Sequence, residues 1–221
     1  MKPKDAISKA EKIIENAIWE SEEKQDWEWE LEEYRKATEI LTGLKELSGE
    51  IELDRKRVLA YCLMRIDEAL VKLERTEGAV RRAQESLDLA TESGDSVQIA
   101  RSKLALGIRL LNEGNLPDAE FHFGEIIKDG IDSDESEMKQ VVGWTLLVRA
   151  NILKGKSLYN QALIVAQDAA SVLSGIDNYA GLSQVYSLIS KLHYDVGNPD
   201  DAEASLEMSK SFAEKAKKHR Q

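Results

Sequence analysis

One cysteine, three prolines and no long apolar run mark this 221-residue sequence, and each shortage removes a class of protein. A lone thiol, Cys62, cannot build an intrachain disulfide framework and points to a reducing compartment. So few prolines, with β-branched runs also scarce, leave little to interrupt helices. No stretch approaches the ~20 apolar residues that a membrane-spanning helix needs. Basic residues are short as well: 30 Lys and Arg stand against 41 Asp and Glu, for a formal net charge of −11. Such a chain repels phosphate backbones and anionic lipid, which argues against general binding to nucleic acid or membrane. The three histidines, His122, His193 and His219, have no second His or Cys at a metal-ligand spacing. The opening Met1-Lys2-Pro3-Lys4-Asp5 leads into an amphipathic pattern instead of an apolar leader, so the expected location is the cytoplasm.

What is present is helical throughout. Ala, Leu, Glu, Lys and Ser dominate, and 42% hydrophobic against 32% charged residues can bury a core under a solvated surface. Ile7, Ala10, Ile14, Ala17 and Ile18 form one face of a first helix. Trp27, Leu31, Tyr34, Ile40, Leu41 and Leu44 fit a second, and Leu59, Leu63, Ile66, Leu70 and Leu73 a third. The breaks fall at Ser48-Gly49, Glu77-Gly78, Ser93-Gly94, Glu113-Gly114, Asp129-Gly130, Lys154-Gly155, Ser174-Gly175 and Val196-Gly197. Each offers a glycine for a left-handed helix end. Asp95, Asn115, Asp134, Asp177 and Asn198 follow as caps, and Pro117 and Pro199 sit in first turns. The pattern predicts about ten helices joined by short loops.

Internal repetition organises them. Gly114-Asn115-Leu116-Pro117-Asp118-Ala119 is echoed by Gly197-Asn198-Pro199-Asp200-Asp201-Ala202, and less closely around Gly155 to Ala162 and Gly78 to Ala83. The anchoring alanines Ala83, Ala119, Ala162 and Ala202 are 36, 43 and 40 residues apart. Leu106-Gly107 with Leu110, then Gly114, Leu116, Ala119, Phe123 and Ile126, give a small residue, a larger one, a turn and further packing positions in a fixed order. Arg149-Ala150 to Ala169 and Tyr186 to Ser209 give the same order. On these residues the chain resembles tetratricopeptide repeats, in an extended-helix variant like that of bacterial signalling regulators and kinesin light chains. The resemblance implies an all-α fold: a right-handed α-α superhelix, a TPR-like solenoid of about ten antiparallel helices in five pairs. It would form a single domain over 1–221, with repeats near 60–94, 95–130, 134–174 and 177–218 and a weaker pair at 4–48. Small residues at Gly107, Ala119, Ala150, Ala162 and Ala202 would let paired helices approach closely.

The resemblance also places a site. In such arrays the first helix of each pair lines a concave groove. The groove-facing stripes would be Arg101, Leu104, Ile108 and Leu111, then Trp144, Leu147, Asn151 and Lys154, then Gln184, Ser187, Lys191 and Tyr194. Together they carry three bases and no acid, with aromatic anchors in Trp144 and Tyr194. The expected occupant is an acidic-apolar peptide or partner helix. A clamp for chaperone-tail carboxylates fits poorly, because Leu188 stands where the family would supply an asparagine beyond Asn151.

Other features read as structure. From Glu20 to Glu33 there are eight acids against one base, Lys24, and the chain end from Lys210 to Arg220 is basic. Both runs are expected to be solvated faces, with mutual attraction of the two ends as the sharper alternative. The pairs Glu22-Glu23 and Glu32-Glu33 have no catalytic partner nearby in sequence, and Asp129 to Glu135 lacks the rest of a calcium loop. Trp27 and Trp29 point to opposite sides of a helix, one expected in the core. On the last helix Ala202, Leu206 and Ala213 are expected to face the preceding helix, leaving Met208 and Phe212 as an edge through which two chains would associate. The functional expectation is a protein-binding scaffold or adaptor, without catalytic residues, metal or cofactor. The alternatives are a sensor of a short peptide signal or a self-assembling structural protein.

Overall fold

The computed structural model describes residues 2–219, apart from the side chains of Glu22 and Glu23. Ten helices and no strand occur among them: α1 (Pro3–Lys24), α2 (Trp27–Thr42), α3 (Glu50–Lys72), α4 (Ala79–Ser93), α5 (Ser96–Asn112), α6 (Leu116–Gly130), α7 (Ser136–Gly155), α8 (Tyr159–Ser174), α9 (Tyr179–Asp195) and α10 (Pro199–His219). Short polar side chains start several of them. Asp26 accepts from the Trp29 amide at 3.0 Å, Asp95 from Gln98 at 2.7 Å and Asn178 from Gly181 at 2.8 Å. These caps satisfy amides that the first turn leaves free.

The breaks lie where glycine predicts them, but glycine does not always make the turn. Gly94 ends α4 at φ +75° and Gly197 follows α9 at φ +85°, both in the left-handed region. Gly130 and Gly155 instead close their helices from within, and Gly175 stays right-handed at φ −64°. Beyond the latter two, Ser157 (φ +60°) and Asp177 (φ +52°) take the left-handed conformation. Small polar residues adopt it at modest cost.

Two compact units divide the chain, Met1–Ala119 and Glu120–Gln221. In the first, α1 packs on α2, α2 on α3, α3 on α4 and α4 on α5. Its core holds Ile7, Ile14, Leu31, Tyr34, Leu41, Val58 and Cys62, with Ala10, Ala17, Ala37 and Ala69 fully buried at helix contacts. The expected stripe of α3 is part of a wider buried surface. Leu59 is buried, and Leu63, Ile66, Leu70 and Leu73 pack half-buried against the same core, while Val58, Ala60, Cys62, Met64 and Ala69 are buried as well. The cause is that α3 touches α1, α2, α4 and α5, so it is enclosed on several sides and has no single apolar face. The small residues Gly107 and Ala119 are buried, as expected of close-contact positions.

In the second unit α7 packs on α8, α8 on α9 and α9 on α10, with α7 also against α9. Phe123, Val142, Leu173, Val185 and Leu192 are fully buried. Its small residues also behave as expected: Ala150 and Ala162 have no exposure, and Ala202 is buried. Gly143 and Gly181 bring α7 and α9 against Leu173 of α8. A Cβ at Gly143 would lie 2.5 Å from the Leu173 Cγ, and one at Gly181 would lie 2.9 Å from its Cδ1.

Candidate functional site

The second unit holds an open cavity of about 370 Å³. From α7 it is lined by Leu147 and Asn151, from α9 by Ser183, Gln184, Ser187, Leu188 and Lys191, and from α10 by Ser209. Leu147 and Leu188 are buried and form the apolar part, while Asn151, Gln184 and Lys191 are exposed. The Asn151 amide nitrogen donates to the Leu147 carbonyl at 2.9 Å, which fixes the amide and leaves its oxygen as an acceptor. Ser209 donates to the Ser183 carbonyl at 2.8 Å, tying α10 to the cavity's edge. The set offers an amide, hydroxyls and one ammonium around two leucines. That is suited to polar backbone groups with an apolar side chain.

The cavity gathers part of the expected stripe. Leu147, Asn151, Gln184, Ser187 and Lys191 line it, whereas half-buried Trp144 and 75% exposed Tyr194 do not. Lys154 is held 3.4 Å from the Asp195 carboxylate, so its charge is largely balanced. Arg101, Leu104 and Ile108 are half-buried on α5 in the first unit. There the Arg101 guanidinium lies over the Tyr61 ring, 5.5 Å from its centroid. Ser183, Leu188 and Ser209 line the cavity beyond the expected stripe. Ser183 and Leu188 flank that stripe on α9, and Ser209 belongs to a second helix, outside a stripe confined to first helices.

The other expectations are modified. Of the acidic run, Glu20 pairs with Lys24, Glu28 with Arg75, Glu32 with Arg35 and Glu33 with Lys36. Glu30 is 1% exposed and bridges to both Arg65 and Lys72. The run is therefore mostly neutralised within its own unit; the Glu22 and Glu23 carboxylates lie outside the described residues. Trp27 and Trp29 are both half-buried, and each ring is covered by a lysine, Lys72 at 4.0 Å and Lys24 at 4.6 Å.

The expected Met208–Phe212 edge is also changed. Phe212 stacks on Tyr186 (centroids 5.4 Å apart) and Tyr179 (6.2 Å), with the Lys215 ammonium 5.3 Å from its ring centroid. The side of α10 against α9 is Ala202, Ser205, Ser209 and Phe212; Leu206 and Met208 are each 42% exposed. Serines at two of the contact positions hid this face from a hydrophobic pattern.

Cys62 is buried and donates to the Tyr34 carbonyl. Burial pushes its thiol up to about 11, hydrogen bonding to Thr38 opposing part of the rise. Such a thiol is inert at neutral pH. Burial likewise raises the Tyr34 and Tyr61 phenols. No group of three His, Cys, Asp or Glu side chains is placed to hold a metal among the described residues. None of the described helices is long and apolar enough to cross a membrane.

No protein-family model matches the sequence, and no curated protein matches it. Solved structures do match in fold. BtubC (BKLC) from P. vanneervenii is 15% identical at TM-score 0.64, over 98% of this chain and 93% of that one. A Podosopora anserina kinesin light chain protein with nearly identical TPR-like repeats is 12% identical at TM-score 0.63, over 99% of each chain. The Rap conjugation gene regulator of plasmid pLS20, solved in complex with the Phr* peptide, is 18% identical at TM-score 0.66. That match covers 90% of this chain but only 52% of the regulator. The protein thus has the TPR-like, all-α helical-repeat fold.

Proposed function

We propose that this chain is a polypeptide-binding helical-repeat module, and that the cavity between α7 and α9 holds a short segment of its partner. The observation that carries the reading is the convergence of Asn151, Gln184, Ser187 and Lys191 on Leu147 and Leu188. An extended segment needs amide and hydroxyl groups for its backbone and an apolar seat for a side chain. Lys191 adds a preference for an acidic residue; Lys154, already paired with Asp195, adds little. The solved Rap regulator in complex with the Phr* peptide supports the same use of the fold.

A cavity of about 370 Å³ accommodates a few side chains and not a whole helix. This favours a short peptide, as in a sensor, over a scaffold that docks a folded partner. The test is selection from a random peptide display library against the full chain, followed by titration of the enriched peptides. Asn151→Ala and Lys191→Glu change exposed residues and should preserve the helical circular dichroism. Loss of two such contacts should weaken binding at least about tenfold. Enriched peptides that bind both variants as tightly as the wild type would place the site elsewhere.

A further inference from the structure

A second cavity, about 450 Å³, lies among α8, α9 and α10. It is separate from the proposed peptide site. Its α9 residues are Tyr186, Ile189 and His193. At 100° per residue these lie roughly opposite Gln184, Ser187 and Lys191. Gln167, Ser171 and Ser174 line it from α8 and Ser205 from α10. The His193 Nδ1 is buried and has no hydrogen-bond partner. The Asp201 carboxylate is the near acid, but at 3.9 Å it is too far for a direct bond.

Four properties define what would fit. No Lys, Arg, Asp or Glu lines the cavity, so nothing there compensates a charged ligand. The Ser171 and Ser174 hydroxyls can both donate and accept, as ligand hydroxyls do, whereas Ser205 already donates to the Asp201 carbonyl at 2.8 Å. Ala170 and Ile189 are buried and give the cavity an apolar portion beside Tyr186. The volume lies within the range of small-molecule sites.

We infer that this cavity is a binding site for a neutral polyhydroxyl ligand of monosaccharide size, with hydroxyls toward Gln167, Ser171 and Ser174 and its C–H face toward Ile189 and the His193 ring. The test uses the full chain and D-glucose, D-ribose and myo-inositol, with acetate and glucose 6-phosphate as charged comparators. The readouts are the His193 imidazole nitrogen resonances and calorimetric titration. At least one neutral probe should shift the Nδ1 resonance saturably, in the weak range expected of so small a ligand. Gln167→Ala with Ser171→Ala alters two exposed positions and should weaken that binding roughly tenfold. Lys191→Glu should leave it unchanged, which separates this site from the peptide cavity. No saturable shift with any neutral probe, tighter binding of a charged comparator, or full retention of binding in the double variant would overturn the inference.

Discussion

The two units bury different things. Glu30, Asp67, Gln98 and Arg109 are enclosed in the first, whereas the buried polar side chains described in the second are Thr145, Ser205 and Ser209. Asp67, on α3, accepts from Arg82 of α4 at 3.0 Å and from Arg109 of α5 at 2.6 Å. Glu30, on α2, accepts from Tyr34 at 2.6 Å, Arg65 at 3.3 Å and Lys72 at 3.2 Å. Ser86 adds a bond to the Ala60 carbonyl at 2.8 Å and a contact with Ser102 at 2.9 Å. Adjacent helices in this unit are registered by polar atoms that must meet. In the second unit serine bonds to backbone carbonyls join α9 and α10, but α7, α8 and α9 are registered by close approach: Leu173 occupies space that side chains at Gly143 and Gly181 would fill. Polar networks are costly to break and inexpensive to replace wholesale, whereas tight packing is disturbed by any added volume. The two halves should therefore fail differently under substitution.

The largest effect belongs to Asp67. Asp67→Ala leaves Arg109, whose side chain is 9% exposed, without its carboxylate, and should cost ~3–5 kcal/mol by urea unfolding. Asp67→Leu with Arg109→Met should recover part of that loss, because the buried pair then needs no compensation and Arg82, the other partner of Asp67, keeps its bond to the Glu77 carbonyl. If the double variant were no more stable than Asp67→Ala, the registry of the first unit would not depend on the charge pair.

Alkali should sharpen the contrast. The folded Cys62 thiol titrates near 11 against an ordinary 9.0, so the native state holds its proton more tightly than the unfolded chain. Its contribution is complete below about pH 9 and is lost as pH rises toward 11, roughly 2–3 kcal/mol in all. Tyr34 and Tyr61, also raised by burial, act in the same direction at higher pH. All three lie in the first unit, so its amides should lose hydrogen-exchange protection as pH rises, after correction for the intrinsic rate. Cys62→Ala should remove the thiol's share of this slope; an unchanged slope would assign the alkaline loss to other groups.

In the second unit the sensitive position is Gly143. Gly143→Ala should cost ~1–3 kcal/mol through overpacking, and Leu173→Ala in the same chain should relieve part of it. A neutral Gly143→Ala would show that α8 can yield without penalty.

This difference between units also explains what the sequence made legible. Helix number, breaks and the small residues of the close contacts were readable, because turn chemistry and spacing are local properties. The pairing of Asp67 with Arg109, 42 residues away, carries no local signal. Neither does Gly143, an ordinary helical glycine until Leu173 is beside it. At the candidate cavity, Leu147, Asn151, Gln184, Ser187 and Lys191 belong to the stripes that the family resemblance implies on first helices. Ser209 and the cavity around His193 were not legible, since both depend on how α10 lies on α9. The contact face of α10 differs from its hydrophobic pattern for the same reason, since its serines give no apolar stripe.

The smallest effect tests whether a glycine matters by its surroundings or merely by its kind. Gly124 lies within α6 in the second unit, like Gly143 in α7, but an added Cβ there meets no atom within 4 Å. Its backbone does not have positive φ. Gly124→Ala should then do only what a helix interior does for alanine, reducing the freedom of the unfolded chain and stabilising by ~0.5–1 kcal/mol. Opposite signs at Gly124 and Gly143, measured by the same denaturant unfolding, would show that the second unit's registry resides in Leu173 and its two glycines. Equal destabilisation at both would mean that α6 and α7 depend on backbone flexibility, and the contrast with the charge-registered first unit would then need a different basis.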